Sequence, residues 1–209
     1  MKKYLILIVV FTLLKSCSSL NYNSLKNGDL LFVTAQQENL SGAINRVTQT
    51  KKTENYDHIG IVEKTKTSIF VLHAAPKGGS QKELLTDFMK NQTENNSEVY
   101  VYRLKKDDQN AVPKALEIAN SLLGKPYNFT YVLNDETLYC SDFIERIFRE
   151  NQIFELKPMT FINPKTGKTD DFWINFYQQK NMEVPEGKLG CNPNGLAGSD
   201  KLIKIKKLK

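Results

Sequence analysis

The chain has 209 residues, a formal net charge of +6 and 40% hydrophobic residues. That length suits one domain with a sizeable core. Lys2, Lys3 and Lys15 belong to a signal-like start and leave the rest near +3, with no basic footprint for a nucleic-acid partner.

Lys2 and Lys3 precede the apolar run Tyr4 to Leu14, long enough for a signal-peptide core and short of the roughly 20 residues that span a bilayer. The run ends in "LKSCSS", which resembles a bacterial lipobox around Cys17. The expected organisation is a lipoprotein signal peptide over 1–16, a tether over 17–26 anchored through lipid on Cys17, and a domain over 27–209. Lys15 is an unusual occupant of such a box, and ordinary secretion is the alternative. Both place the protein outside the cytoplasm, and the anchored form faces the periplasm or exterior of a bacterial cell envelope. With Cys17 lipidated, Cys140 and Cys191 remain, which is no disulfide framework. A Cys140–Cys191 bond stays open at this point and would preclude a nucleophilic Cys140.

"NGDLLFVT" reads as a turn into a buried strand, and "SGAINRVTQ" as a short helix. "DHIGIVEK" and "SIFVLHAA" flank a polar stretch and predict a hairpin. "KELLTDFMK" suggests one or two helical turns, and "SEVYVYRL" alternates as a strand. "NAVPKALEIANSLLG" is a helix with Pro113 in its first turn and Gly124 as its stop. Past Glu155 the signals fade into turns, and the five lysines of Lys201 to Lys209 read as a solvated end or a contact for an anionic surface. Early strands and later helices indicate an α+β domain.

"LYCSDFIERIFRE" carries the chemistry. Phe143, Ile144, Ile147 and Phe148 form one apolar stripe, and Cys140 stands four residues before Ile144 on the same side. Cys140 also opens the helix, where unpaired N–H groups favour a thiolate. A small buried cysteine is the plain alternative. The only histidines, His58 and His73, lie on the predicted hairpin. A turn centred between Thr65 and Lys66 places His58 opposite His73, Gly60 opposite Val71 and Val62 opposite Ile69, with Gly60 leaving room for the Cys140 helix. A thiol, a base and a group that orients the base make a hydrolytic set: Cys140 as nucleophile, His58 as base, His73 as orienter. The same three residues could hold zinc, although no metal-binding spacing accompanies them.

The ordered pieces "GDLLF", "DHIGIV", "FVLHAA", "GKPYNF", "YCSDFI" and "NPNGLAGSDKL" span nearly the whole mature chain. Together they resemble the permuted papain-like amidases of YiiX/YebB type, circularly permuted relatives of NlpC-type cell-wall peptidases. The resemblance implies an antiparallel half-barrel sheet packed against the nucleophile helix, Cys140 as nucleophile and His58 as base, with no cofactor. His73 takes the third position, which glutamate often fills in YiiX-type members and histidine in unpermuted and lecithin:retinol acyltransferase-like relatives. Tyr127, Tyr139 and Ser141 would line the substrate site. Tyr139 stands where many unpermuted peptidases carry an aspartate that holds a substrate amine, which argues against γ-glutamyl specificity. The expected substrate is an amide in a wall-derived peptide or amino-acid conjugate. A lipid acyl group and a non-catalytic envelope-binding role are the alternatives, and an inert thiol would titrate near or above about 8.5.

Overall fold

The computed structural model describes residues 22–50 and 54–208. The signal-like run, Cys17 and the first part of the expected tether lie outside them. The end of that tether already belongs to the domain: Leu25 is buried and Tyr22 packs beside it.

The main sheet is built from β1 (Leu30–Thr34), β2 (Tyr56–Lys64), β3 (Ile69–Ala75), β4 (Gly79–Leu84), β5 (Val99–Leu104) and a C-terminal strand, Leu202–Leu208. Its order is C-terminal strand, β5, β1, β2, β3, β4, with every pairing antiparallel. The lysine-rich tail is thus an edge strand rather than a free end. It is held by its ladder to β5 and by ion pairs Lys204–Glu54 and Lys207–Glu98.

Strand alternation divides the core. Phe32, Ile59, Ile61 and Leu72 face α3 (Val112–Ser121) and α4 (Cys140–Phe148), whereas Leu31, Val33, Val62 and Val71 face α2 (Leu85–Glu94). The stripe Phe143, Ile144, Ile147 and Phe148 is fully buried as its spacing requires. Asp142 and Glu145 are buried too, and Arg146 and Arg149 one turn on pair with them. A third cluster gathers aromatics around α1 (Asn39–Thr48) and α5 (Asp171–Gln178), including Tyr131, Tyr139, Phe161, Trp173 and Tyr177. A short α6, Pro193–Ala197, packs on β2 and α4.

The β2–β3 hairpin forms with a register two residues from the expected one. Val62 faces Val71 and Lys64 faces Ile69. Thr65 explains the difference: its backbone N–H and side-chain hydroxyl both donate to Ser68 O, closing a four-residue loop one position later. A shift of two keeps each side chain on its face, so His58 and His73 still meet, now as diagonal neighbours. Gly60 takes the place beside His73. A Cβ there would lie 2.5 Å from Val71 Cγ1 and 3.2 Å from His73 Cβ, so its bareness admits β3 side chains rather than the Cys140 helix.

Asp29, at the turn into β1, is structural. It is fully buried, accepts two hydrogen bonds from Arg103 at 2.6 and 2.7 Å, and caps the Lys26 N–H.

Candidate active site

Cys140 is the first residue of α4, whose opening N–H groups have no partner within the helix. The preceding loop is fixed in place. Arg146 reaches back from α4 to Asp142, Asp135 and the Asn134 carbonyl, and Asn128 Oδ1 accepts from the N–H groups of Thr130 and Tyr131. Tyr139 and Ser141 flank the thiol and secure the segment opposite: Cys191 N donates to Tyr139 Oη at 3.2 Å, and Ser141 Oγ donates to Cys191 O at 3.1 Å. Cys140 and Cys191 are both free thiols, which settles the disulfide alternative for this structure.

A cavity of about 120 Å³ opens at Cys140. Tyr127, Tyr131, Tyr139, Ser141 and Cys191 line it near the thiol, and Ile44, Val47, Met159, Phe161 and Trp173 form its apolar wall. The three residues expected to meet substrate, Tyr127, Tyr139 and Ser141, are all present there. A larger cleft holds His58, His73, Glu83 and Gln36, and the two spaces share Ile44, Asp57 and Tyr127.

The histidines form a relay. His58 Nε2 and His73 Nδ1 are 2.8 Å apart, and His73 Nε2 lies 2.8 Å from Glu83 Oε2. A carboxylate only accepts, so His73 carries its proton on Nε2 and its Nδ1 accepts from His58 Nε2–H. That assignment leaves His58 Nδ1 as the free basic atom. Glu83 is a member that sequence reading missed. The "PKGG" turn after Ala75 could have exposed it, because it folds β4 back beside β3 and sets Glu83 across from Val71.

The thiol and the relay approach β2 from different sides. His58 pairs with Val33 and stacks on Phe88 at 6.2 Å, on the α2 side of the sheet, while Cys140 belongs to the cluster on the α4 side. The Cys140 thiol donates to the Asp57 carbonyl at 3.7 Å, one residue before His58, and makes no hydrogen bond to the imidazole among the described residues. This corrects the expectation of a closed Cys140–His58–His73 contact in the free protein. The intervening residue is special. The β1–β2 register shifts between Val33 and Thr34, whose partners are His58 and Tyr56, so Asp57 bulges from the ladder. Among the described residues no group of three His, Cys, Asp or Glu side chains is arranged to hold a metal ion.

Electrostatics follow burial. Desolvation, then the neighbouring Asp57 carboxylate, pushes the Cys140 thiol up to about 12, against the Ser141 and Ile59 backbone N–H groups. The helix N-terminus therefore does not produce a standing thiolate, contrary to the sequence expectation. Burial, then the electrostatic influence of the neighbouring His73 ring, lowers His58 to about 3. Asp57 is raised to about 6 by burial, with the Ser41 hydroxyl opposing. The resting site thus holds a neutral thiol and a neutral imidazole on either side of a carboxylate that titrates near neutrality.

Residues 24–206 match the model of the permuted papain-like amidase enzymes, YaeF/YiiX, C92 family. The chain belongs to this family. Its cysteine hydrolase class and papain-like fold agree with a cysteine-headed helix packed on an antiparallel sheet. Among solved structures, the protein described as metalloprotein yiiX from Escherichia coli O157:H7 superposes with a TM-score of 0.68 at 19% identity. The match covers 87% of this chain and 97% of that one, and at this identity it speaks to the fold. No curated protein matches the sequence.

Proposed function

We propose that the protein is an exported, lipid-anchored cysteine amidase that cleaves an amide in wall-derived peptides or amino-acid conjugates. The observation that carries the reading is a free cysteine heading a buried helix, in a cavity that joins the His58–His73–Glu83 relay at Asp57. Export and anchoring rest on the lipobox-like start alone.

Cys140 Sγ attacks the amide carbonyl, and its proton passes to His58 Nδ1 in the same step, because neither group is charged beforehand. The step requires the thiol and the imidazole, which make no hydrogen bond in the free protein among the described residues, to come into contact about the Asp57 bulge. His73 receives the His58 Nε2–H, and Glu83 fixes the His73 tautomer. The imidazolium then protonates the leaving nitrogen, and water, deprotonated by His58, releases the acyl group from sulfur.

A second reading keeps this machinery and changes the acyl group to a lipid chain, making the protein a thioesterase, phospholipase or acyltransferase. The apolar wall of Ile44, Val47, Met159, Phe161 and Trp173 favours it. Wall peptides and phospholipid vesicles offered side by side to the full chain, with amine and fatty-acid release read by mass spectrometry, separate the two. Amine release that disappears in Cys140→Ala supports the amidase, and exclusive fatty-acid release supports the lipid reading. Turnover that survives Cys140→Ala would sink both and leave a binding module, which a raised thiol pKa also suits.

A further inference from the structure

Tyr131 is the outlying residue of the cavity. Its backbone adopts φ +57°, the left-handed region that a bulky side chain seldom enters. The Asn128 side chain holds it there by accepting the Tyr131 N–H at 3.1 Å, and Tyr139 and Trp173 pack edge-on against its ring at 5.4 and 5.7 Å. So constrained, the side chain is carried into the cavity at Cys140. There its hydroxyl is buried without a hydrogen-bond partner, although nearly all such groups in folded proteins find one. Burial, then the electrostatic influence of Cys140, holds the phenol protonated, and the neighbouring Tyr127 hydroxyl opposes them. A neutral phenol, fixed by strain and packing beside a nucleophile, with the Tyr127 phenol next to it and no carbonyl or carboxylate accepting its proton, is prepared for an acceptor that arrives later.

We propose that the Tyr131 hydroxyl is the second donor of the oxyanion hole, completing with the Cys140 N–H a pair that holds the carbonyl oxygen of the bound acyl group. The proposal rests on Cys140 being the nucleophile. As the S–C bond forms, the S–H proton moves to His58 and the carbonyl π pair moves onto oxygen. That oxygen accepts from Tyr131 O–H and Cys140 N–H, then returns its pair as the leaving group departs. The orphan hydroxyl thereby gains its partner only along the reaction path.

Tyr131→Phe removes one oxygen atom and keeps the aromatic packing. With p-nitrophenyl acetate as probe, the variant should acylate at least about a hundredfold more slowly, the lower end of what loss of one oxyanion donor costs. KM should change little, and the melting temperature should stay level or rise because an unpaired buried hydroxyl has gone. Tyr22→Phe, which removes another unpartnered buried hydroxyl on the α2 side of the sheet, should keep the wild-type rate. Acylation of Tyr131→Phe near the wild-type rate, or an equal loss in Tyr22→Phe, would overturn the proposal. A rate loss accompanied by a falling melting temperature would make Tyr131 a packing residue and overturn it equally. Absence of a Cys140-dependent acylation burst in the wild type would instead remove the nucleophile reading beneath it.

Discussion

Asp57 links burial to pH in a way that can be measured directly. Its carboxyl is raised from 3.8 to about 6, chiefly by desolvation in the bulge between the thiol and His58. A carboxyl with a raised folded pKa binds its proton more tightly in the folded chain. Its contribution to stability is therefore full below about pH 4 and is lost as pH rises through about 6. The shift of roughly two units corresponds to about 3 kcal/mol in total, of which about 2 kcal/mol is lost between pH 4 and 7.5. Asp57→Asn has no such proton to lose. Urea denaturation of both proteins at the two pH values isolates this contribution, because the opposing effect of His58 is common to both and cancels in the difference. The variant should gain about 2 kcal/mol on the wild type over that interval. A stability difference that stays flat with pH would refute a desolvated Asp57 and with it the electrostatic account of the thiol beside it.

Three other outcomes follow from the same geometry. Near pH 7.5 the native Cys140 should react with iodoacetamide about a thousandfold more slowly than in urea, since burial raises the thiol from 9.0 to about 12; comparable rates would contradict its burial. His73→Gln should retain more activity than His73→Ala in a kcat comparison, because an amide can still orient His58, and equal losses would exclude an orienting role. Arg103→Ala should destabilise the fold by about 3–5 kcal/mol in urea titration, as it strands the fully buried Asp29 carboxylate; a loss below about 1 kcal/mol would show that water reaches Asp29.

Periodicity made the nucleophile helix and the first strands legible, because both repeat over enough residues to show which face is buried. The meeting of His58 and His73 was legible for a stronger reason: an error of two in register leaves faces unchanged, so the pairing survived a misplaced turn. What escaped lay in short or irregular backbone. β4 is too brief to alternate convincingly before α2 begins, which concealed Glu83. The bulge at Asp57 has no composition signal, and it decides which side of β2 His58 presents. The left-handed backbone of Tyr131 likewise follows from an Asn128 turn that only coordinates reveal. The thiol pKa was misjudged because a helix N-terminus shows in sequence whereas the depth of burial, which outweighs it, does not.

The central claim is that Cys140 attacks an acyl carbonyl while His58 takes its proton. The most direct test is the pre-steady-state burst with p-nitrophenyl acetate, with the acetyl group located by peptide mass spectrometry in wild type and His58→Ala. The account predicts acetyl on Cys140 in the wild type and a burst slowed about a hundredfold or more without the imidazole. Acetyl located elsewhere, or an undiminished burst in His58→Ala, would contradict it.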